Sequence, residues 1–212
     1  MQNRHIIFGA ILSTLAFLPG VQAVVPPSDG CYPNFTTAEG CNALNSLTTG
    51  AANTGVGWYS LFSNTAANGN TGVGAGTLAL NQANNNTAVG AGALLLNNTG
   101  ELNAAVGANA LVHNETGSDN DAFGTNALFG NVEGTFNNAH GHNALVASTG
   151  NENNAFGDLA MENNTSGSSN TAIGDDALRF NEDGSGNVAV GDEAGTGLGP
   201  SVSNCIAIGA TG

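Results

Sequence analysis

Apolar and small residues recur along this chain at fixed long intervals, not in helical or simple alternating runs. Aligned on the glycine of "AVG", the series is Gly40, Gly57, Gly74, Gly90, Gly107, Gly124, Gly141, Gly157, Gly174, Gly191 and Gly209, at intervals of 16 to 18 residues. Two residues before each stands only alanine or glycine, and the residue immediately before is usually Val, Ile or Phe. Four residues after comes an apolar side chain, from Leu44 and Leu61 through Met161 to Leu178. A second punctuation, N-x-x-G, follows in "NNTG" (97–100), "NETG" (114–117) and "NEDG" (181–184).

Asn and Gly reach positive φ at low cost, so N-x-x-G predicts a turn. Each unit then reads as short strand, glycine bend, short strand, Asn/Gly turn. A unit this small cannot bury its own apolar face and has to stack on copies of itself. The pattern predicts an all-β fold: a parallel β-solenoid with two short strands per 17-residue coil and about eleven coils. Equivalent positions would stack about 4.8 Å apart, giving ladders of Ala, Leu and Asn along a rod of roughly 50 Å. The small residue before each "xG" fits a thin roll whose backbones approach closely. A helix would lose about 1 kcal/mol at each glycine relative to alanine, and collagen needs glycine at every third position.

"NTAVGAGAL" (86–94), "NTAIGDDAL" (170–178) and "CIAIGATG" (205–212) resemble the YadA-like head repeats of trimeric autotransporter adhesins, found also in phage tail-fibre-like bacterial surface proteins. The likeness covers residues 36–212. It implies a left-handed β-roll, association as a trimer, and binding to cells or extracellular matrix. The heptad stalk and outer-membrane barrel of those adhesins have no counterpart in this sequence, which leaves the mode of anchoring open.

Residues 1–23 carry a short basic start at Arg4 and His5, the 13-residue apolar run "IIFGAILSTLAFL", and "PGVQA" before a cut after Ala23. That arrangement predicts a secretory signal, the run being too short to span a bilayer. Residues 24–35 form a proline-containing cap before the repeat domain, 36–212. Removal of the signal leaves 16 acidic groups against Arg179 alone. So acidic a chain would repel nucleic acid and anionic membranes, and fits divalent or cationic partners better.

Candidate chemistry is sparse. In a secreted chain Cys31 and Cys41 could pair and staple the N-terminal cap. Cys205 then remains, standing where most coils have Asn, either buried or cross-linked to another chain. His140 and His142 flank Gly141 in "AHGHNAL"; H-x-H can ligate a metal, but no carboxylate or Cys in that coil completes a site. "DD" (175–176), "NEDGSGN" (181–187) and "DE" (192–193) make an acidic stretch. It lacks the frame of a calcium loop, so weak surface calcium is the most it would hold, and no cofactor is expected. Trp58, Tyr59 and Phe62, with Tyr32 and Phe35 before them, read as a plug for the N-terminal end of the roll, or as a carbohydrate or partner platform if exposed. N-x-T sequons begin at residues 34, 85, 97 and 114. No nucleophile–base arrangement, P-loop or dinucleotide motif is visible. The sequence thus predicts a secreted, non-enzymatic, adhesin-like protein of a bacterial surface, with itself and a host or matrix ligand as partners. The alternative is a self-assembling fibre subunit whose solenoid ends stack head to tail.

Overall fold

A computed structural model describes residues 33–209. The expected signal segment, most of the expected N-terminal cap, Tyr32 and Cys31 lie outside the described residues. Within them eleven three-residue strands, β1 (Thr37–Glu39) to β11 (Ile206–Ile208), form one parallel sheet in strictly sequential order. The register follows the repeat, with Ala88 opposite Ala105 and Ala105 opposite Ala122. This is the β-solenoid that the period demands, one strand per coil.

The second side of each coil differs from the expected strand. It is hydrogen-bonded from coil to coil, as in Leu94 N–H to the Ala110 carbonyl (3.0 Å) and Leu96 N–H to Val112 (3.1 Å). Its backbone is bent, however, because the repeated leucine is itself left-handed: φ is 50° at Leu94, 52° at Leu111 and 51° at Leu128. A non-glycine residue there costs about 1–2 kcal/mol. The compensation is burial, since these leucines have no exposed surface and the bend aims them into the roll.

Each coil interior is small and half polar. A typical coil buries Ala88, Ala93 and Leu94, and beside them Asn86 and Asn97, all fully. Two asparagine ladders therefore run the length of the solenoid. In the first, each Oδ1 accepts the backbone N–H of the next rung, as Asn103 does from Asn120 (3.1 Å), while Nδ2, except at Asn70, donates across to a turn carbonyl, as Asn103 does to Gly117 (2.9 Å). In the second ladder Asn97, Asn114 and Asn131 each donate Nδ2 to the Oδ1 of the preceding rung, beginning with Asn81, and to the carbonyl of their own N-x-x-G glycine.

The N-x-x-G signature thus marks a turn for a reason other than backbone freedom. Its Asn is the ladder residue, and Gly100 is not left-handed; a Cβ there would run into the Gly117 carbonyl oxygen and lie 2.7 Å from both Asn97 Oδ1 and Asn114 Nδ2. Coil length varies harmlessly at the same place. In the coil after Gly74, Asn81 Nδ2 reaches the carbonyl of Ala83, two residues on, where Asn97, Asn114, Asn131, Asn164 and Asn181 reach three.

Ser148 interrupts the second ladder, and the buried Asn131 Oδ1 has no hydrogen-bond partner among the described residues. Replacing Ser148 by Asn should supply the missing donor. The expected gain is about 1 kcal/mol, read as a melting temperature raised by a few degrees.

Candidate functional site

The side chains that point outward from the sheet make the most continuous surface feature. The middle residue of each strand from β2 to β10 is buried, that of the two end strands is half-buried, and its two neighbours face out. The third position of successive strands carries Val56, Val73, Val89, Val106, Phe123, His140, Phe156, Ile173, Val190 and Ile208. Among them Val73, Val89, Phe123, Phe156 and Val190 are 37–40% exposed, and Ile208 80%. A stripe one residue wide, apolar except at His140, therefore runs up ten coils, beside a first-position row that begins Thr37, Thr54, Thr71, Thr87. That threonine row breaks at Ala104 and Asp121.

The histidines of "AHGHNAL" do not converge. His140 ends β7 (Asn138–His140) and lies between Phe123 and Phe156 of the flanking strands. The ring centroids are 4.8 and 4.7 Å apart and the planes 15° and 19° from parallel. His142, beyond the bend at Gly141, bonds Asp158 through Nδ1 at 3.0 Å, both side chains about half exposed. Asp158 is the ladder equivalent of His142 one coil on, so position within the repeat would have found this partner where local spacing did not.

The acidic stretch is a solvated edge with one neutralised knot. Asp158, Asp175 and Asp192 occupy one ladder position. Arg179 is bonded to Glu162 (2.7 Å) and Asp176 (2.9 Å). The Glu162 hydrogen bond, more than any other influence, holds the guanidinium above its usual pKa. Among the described residues no cluster of three or more His, Cys, Asp or Glu side chains is arranged to hold a metal ion.

Trp58, Tyr59 and Phe62 pack on one another, with centroids 4.3 and 4.6 Å apart. They lie on the flank of the second coil instead of plugging the roll: Trp58 is 59% exposed, and the interior there is filled by Leu44 and Leu61. Phe35 is exposed as well. Cys41 is exposed, and its suggested partner Cys31 is outside the described residues. Cys205 is half-buried at the top of the first asparagine ladder, its N–H donating to Asn187 Oδ1 at 3.0 Å. Of the four sequons, those at Asn97 and Asn114 are fully buried ladder rungs, whereas Asn34 and Asn85 are exposed.

Comparison with known proteins gave no match to a family model, a curated protein or a solved structure.

Proposed function

We propose that this protein is a secreted, non-enzymatic, adhesin-like component of a bacterial surface, working as a homo-oligomer that attaches to cells or extracellular matrix. The observation that carries this reading is the apolar stripe. Soluble monomers seldom leave so continuous an apolar surface uncovered. A surface that repeats at the spacing of the solenoid coils is met best by another surface of the same repeat, and a second copy of this chain supplies one. The head-repeat resemblance makes the assembly a left-handed, parallel trimer, with the stripe turned inward and the polar walls left for a host or matrix ligand. Secretion rests on the signal-like segment 1–23.

The test is light scattering on the chain from residue 24 onward, with the double variant Phe123→Lys, Phe156→Lys beside it. The wild type should form particles near three chains. The variant should be monomeric with an unchanged circular dichroism spectrum, because both rings lie outside the roll. A monomeric wild type would sink the assembly reading. Failure of the assembled protein to be retained on cell- or matrix-coated surfaces would sink the attachment reading.

End-to-end stacking into a fibre is the second reading. It is favoured by Ile206 and Ile208, 76% and 80% exposed on β11, a strand with one neighbour among the described residues. Such an edge is a template for further pairing. Negative-stain images would then contain filaments with an axial repeat of roughly 50 Å, lost on reduction if Cys205 cross-links them.

A further inference from the structure

The stripe contains one side chain whose charge can change near neutral pH. His140 sits in its middle, stacked face to face between Phe123 and Phe156. Histidine alone among unperturbed side chains changes charge between pH 5 and 8. We infer that His140 is a pH gate on self-association: neutral, it completes the apolar stripe between copies of the chain, and protonated, it opens that contact. This inference rests on the self-association reading above.

The charged surroundings of His140 are few. Strands β6 (Asp121–Phe123) and β8 (Asn154–Phe156) flank it in the sheet. Their outward-facing residues, other than the two Phe rings, are Asp121 and the neutral Asn154, and Asn138 shares its own strand. Asp121 is one coil down and two residues back, about 8 Å away at ordinary strand spacings, and exposed. Past the glycine bend lie His142 and Asp158, which satisfy each other. No carboxylate among the described residues is hydrogen-bonded to the His140 ring.

The sign follows from burial. Covering the stripe takes the imidazolium out of water, which costs far more than stacking on phenylalanine returns. In a parallel association equivalent rungs meet, so the His140 rings of neighbouring copies are brought to one level and their charges repel. The assembled state therefore binds fewer protons here than the separated chains, and acidification drives separation.

The experiment is sedimentation velocity at pH 7.5 and 5.5 and constant ionic strength, on the wild type, His140→Val and His142→Asn. Valine already occupies this ladder position at Val106 and Val190, so the first substitution suits the strand. The wild type and His142→Asn should dissociate at least tenfold more readily at pH 5.5, and His140→Val should change less than twofold. An equal pH response in wild type and His140→Val, or assembly insensitive to pH in both, overturns the gate and leaves the assembly reading standing. A wild type monomeric at both values overturns both.

Discussion

Replacing Asn120 by aspartate is expected to cost about 5 kcal/mol, from one nearly isosteric change. Asn120 is fully buried and sits in the middle of the first ladder. Its Nδ2 donates to the Gly134 carbonyl (2.9 Å) and to Asn103 Oδ1 (3.1 Å), while its Oδ1 accepts from Asn137 N–H (3.0 Å) and Nδ2 (3.2 Å). A carboxylate keeps the accepting half, loses both donations and sets a charge against two oxygens. Each orphaned buried group costs about 1–3 kcal/mol, and the charge adds to that. Small domains are stable by roughly 5–15 kcal/mol in total, so the variant should be largely unfolded, or soluble only as a partly unravelled rod. The control is Asn126→Asp. Its half-exposed amide donates once, Nδ2 to Asn143 Oδ1 (3.1 Å), and accepts a long bond from Asn109 Nδ2 (3.4 Å) that aspartate keeps, and its left-handed φ of 57° suits aspartate equally. That change should cost less than about 1 kcal/mol. Urea unfolding followed by circular dichroism measures both, and equal midpoints would show that the ladder carries no special weight.

The second large effect is expected at the repeated glycine. Gly90 has φ of +125°, and a Cβ added there would lie 2.6 Å from the Gly107 carbonyl oxygen and 2.7 Å from its carbon. Alanine would therefore be strained in its own backbone and would also push the next coil away. Separation would break the pairing between β4 (Thr87–Val89) and β5 (Ala104–Val106). The expected loss is about 3 kcal/mol or more. Gly92, two residues on, also has positive φ (+70°), but the coils above it hold Asn109 and Asn126 at that position. Gly92→Asn should change stability by no more than about 1 kcal/mol. Because solenoid coils contact only their neighbours, the damage from Gly90→Ala should be local. Amide exchange at Gly107 and Asn109, whose N–H groups bond Val89 and Ala91 (2.8 and 2.9 Å), should accelerate well beyond that of the terminal coils. Unchanged exchange at those two amides would refute the close-approach explanation.

The architecture was legible because one spacing is repeated through most of the chain. Ala88, Ala105 and Ala122 announced a thin interior, and the recurring Leu announced what fills it. The position of the asparagines announced their stacking as well. What the pattern concealed was conformation. Nothing in a leucine signals positive φ, so the Leu94 side was expected as a strand. Only the inter-coil hydrogen bonds explain how a bent backbone can be laddered. The N-x-x-G glycine was likewise legible as a turn but not as the clearance for an amide ladder. Surface chemistry was harder to see, because it depends on neighbours one coil away. His142 meets Asp158 at a sequence distance of 16 residues, and Phe123, His140 and Phe156 form a stack only once the register is fixed. Of the cysteine pairing suggested for the N-terminal cap, Cys41 is described and exposed, and Cys31 lies outside the described residues.

The coils of 16 and 18 residues fit among those of 17 because the surplus or deficit falls in exposed turn positions, outside the ladders. Length is therefore an adjustable quantity in this fold. Inserting or deleting one whole coil would move the two ends apart or together by about 4.8 Å without altering a single interior contact type. A lineage carrying such a rod can tune its reach in fixed increments by duplicating short stretches of coding sequence, and the surfaces at either end need not change.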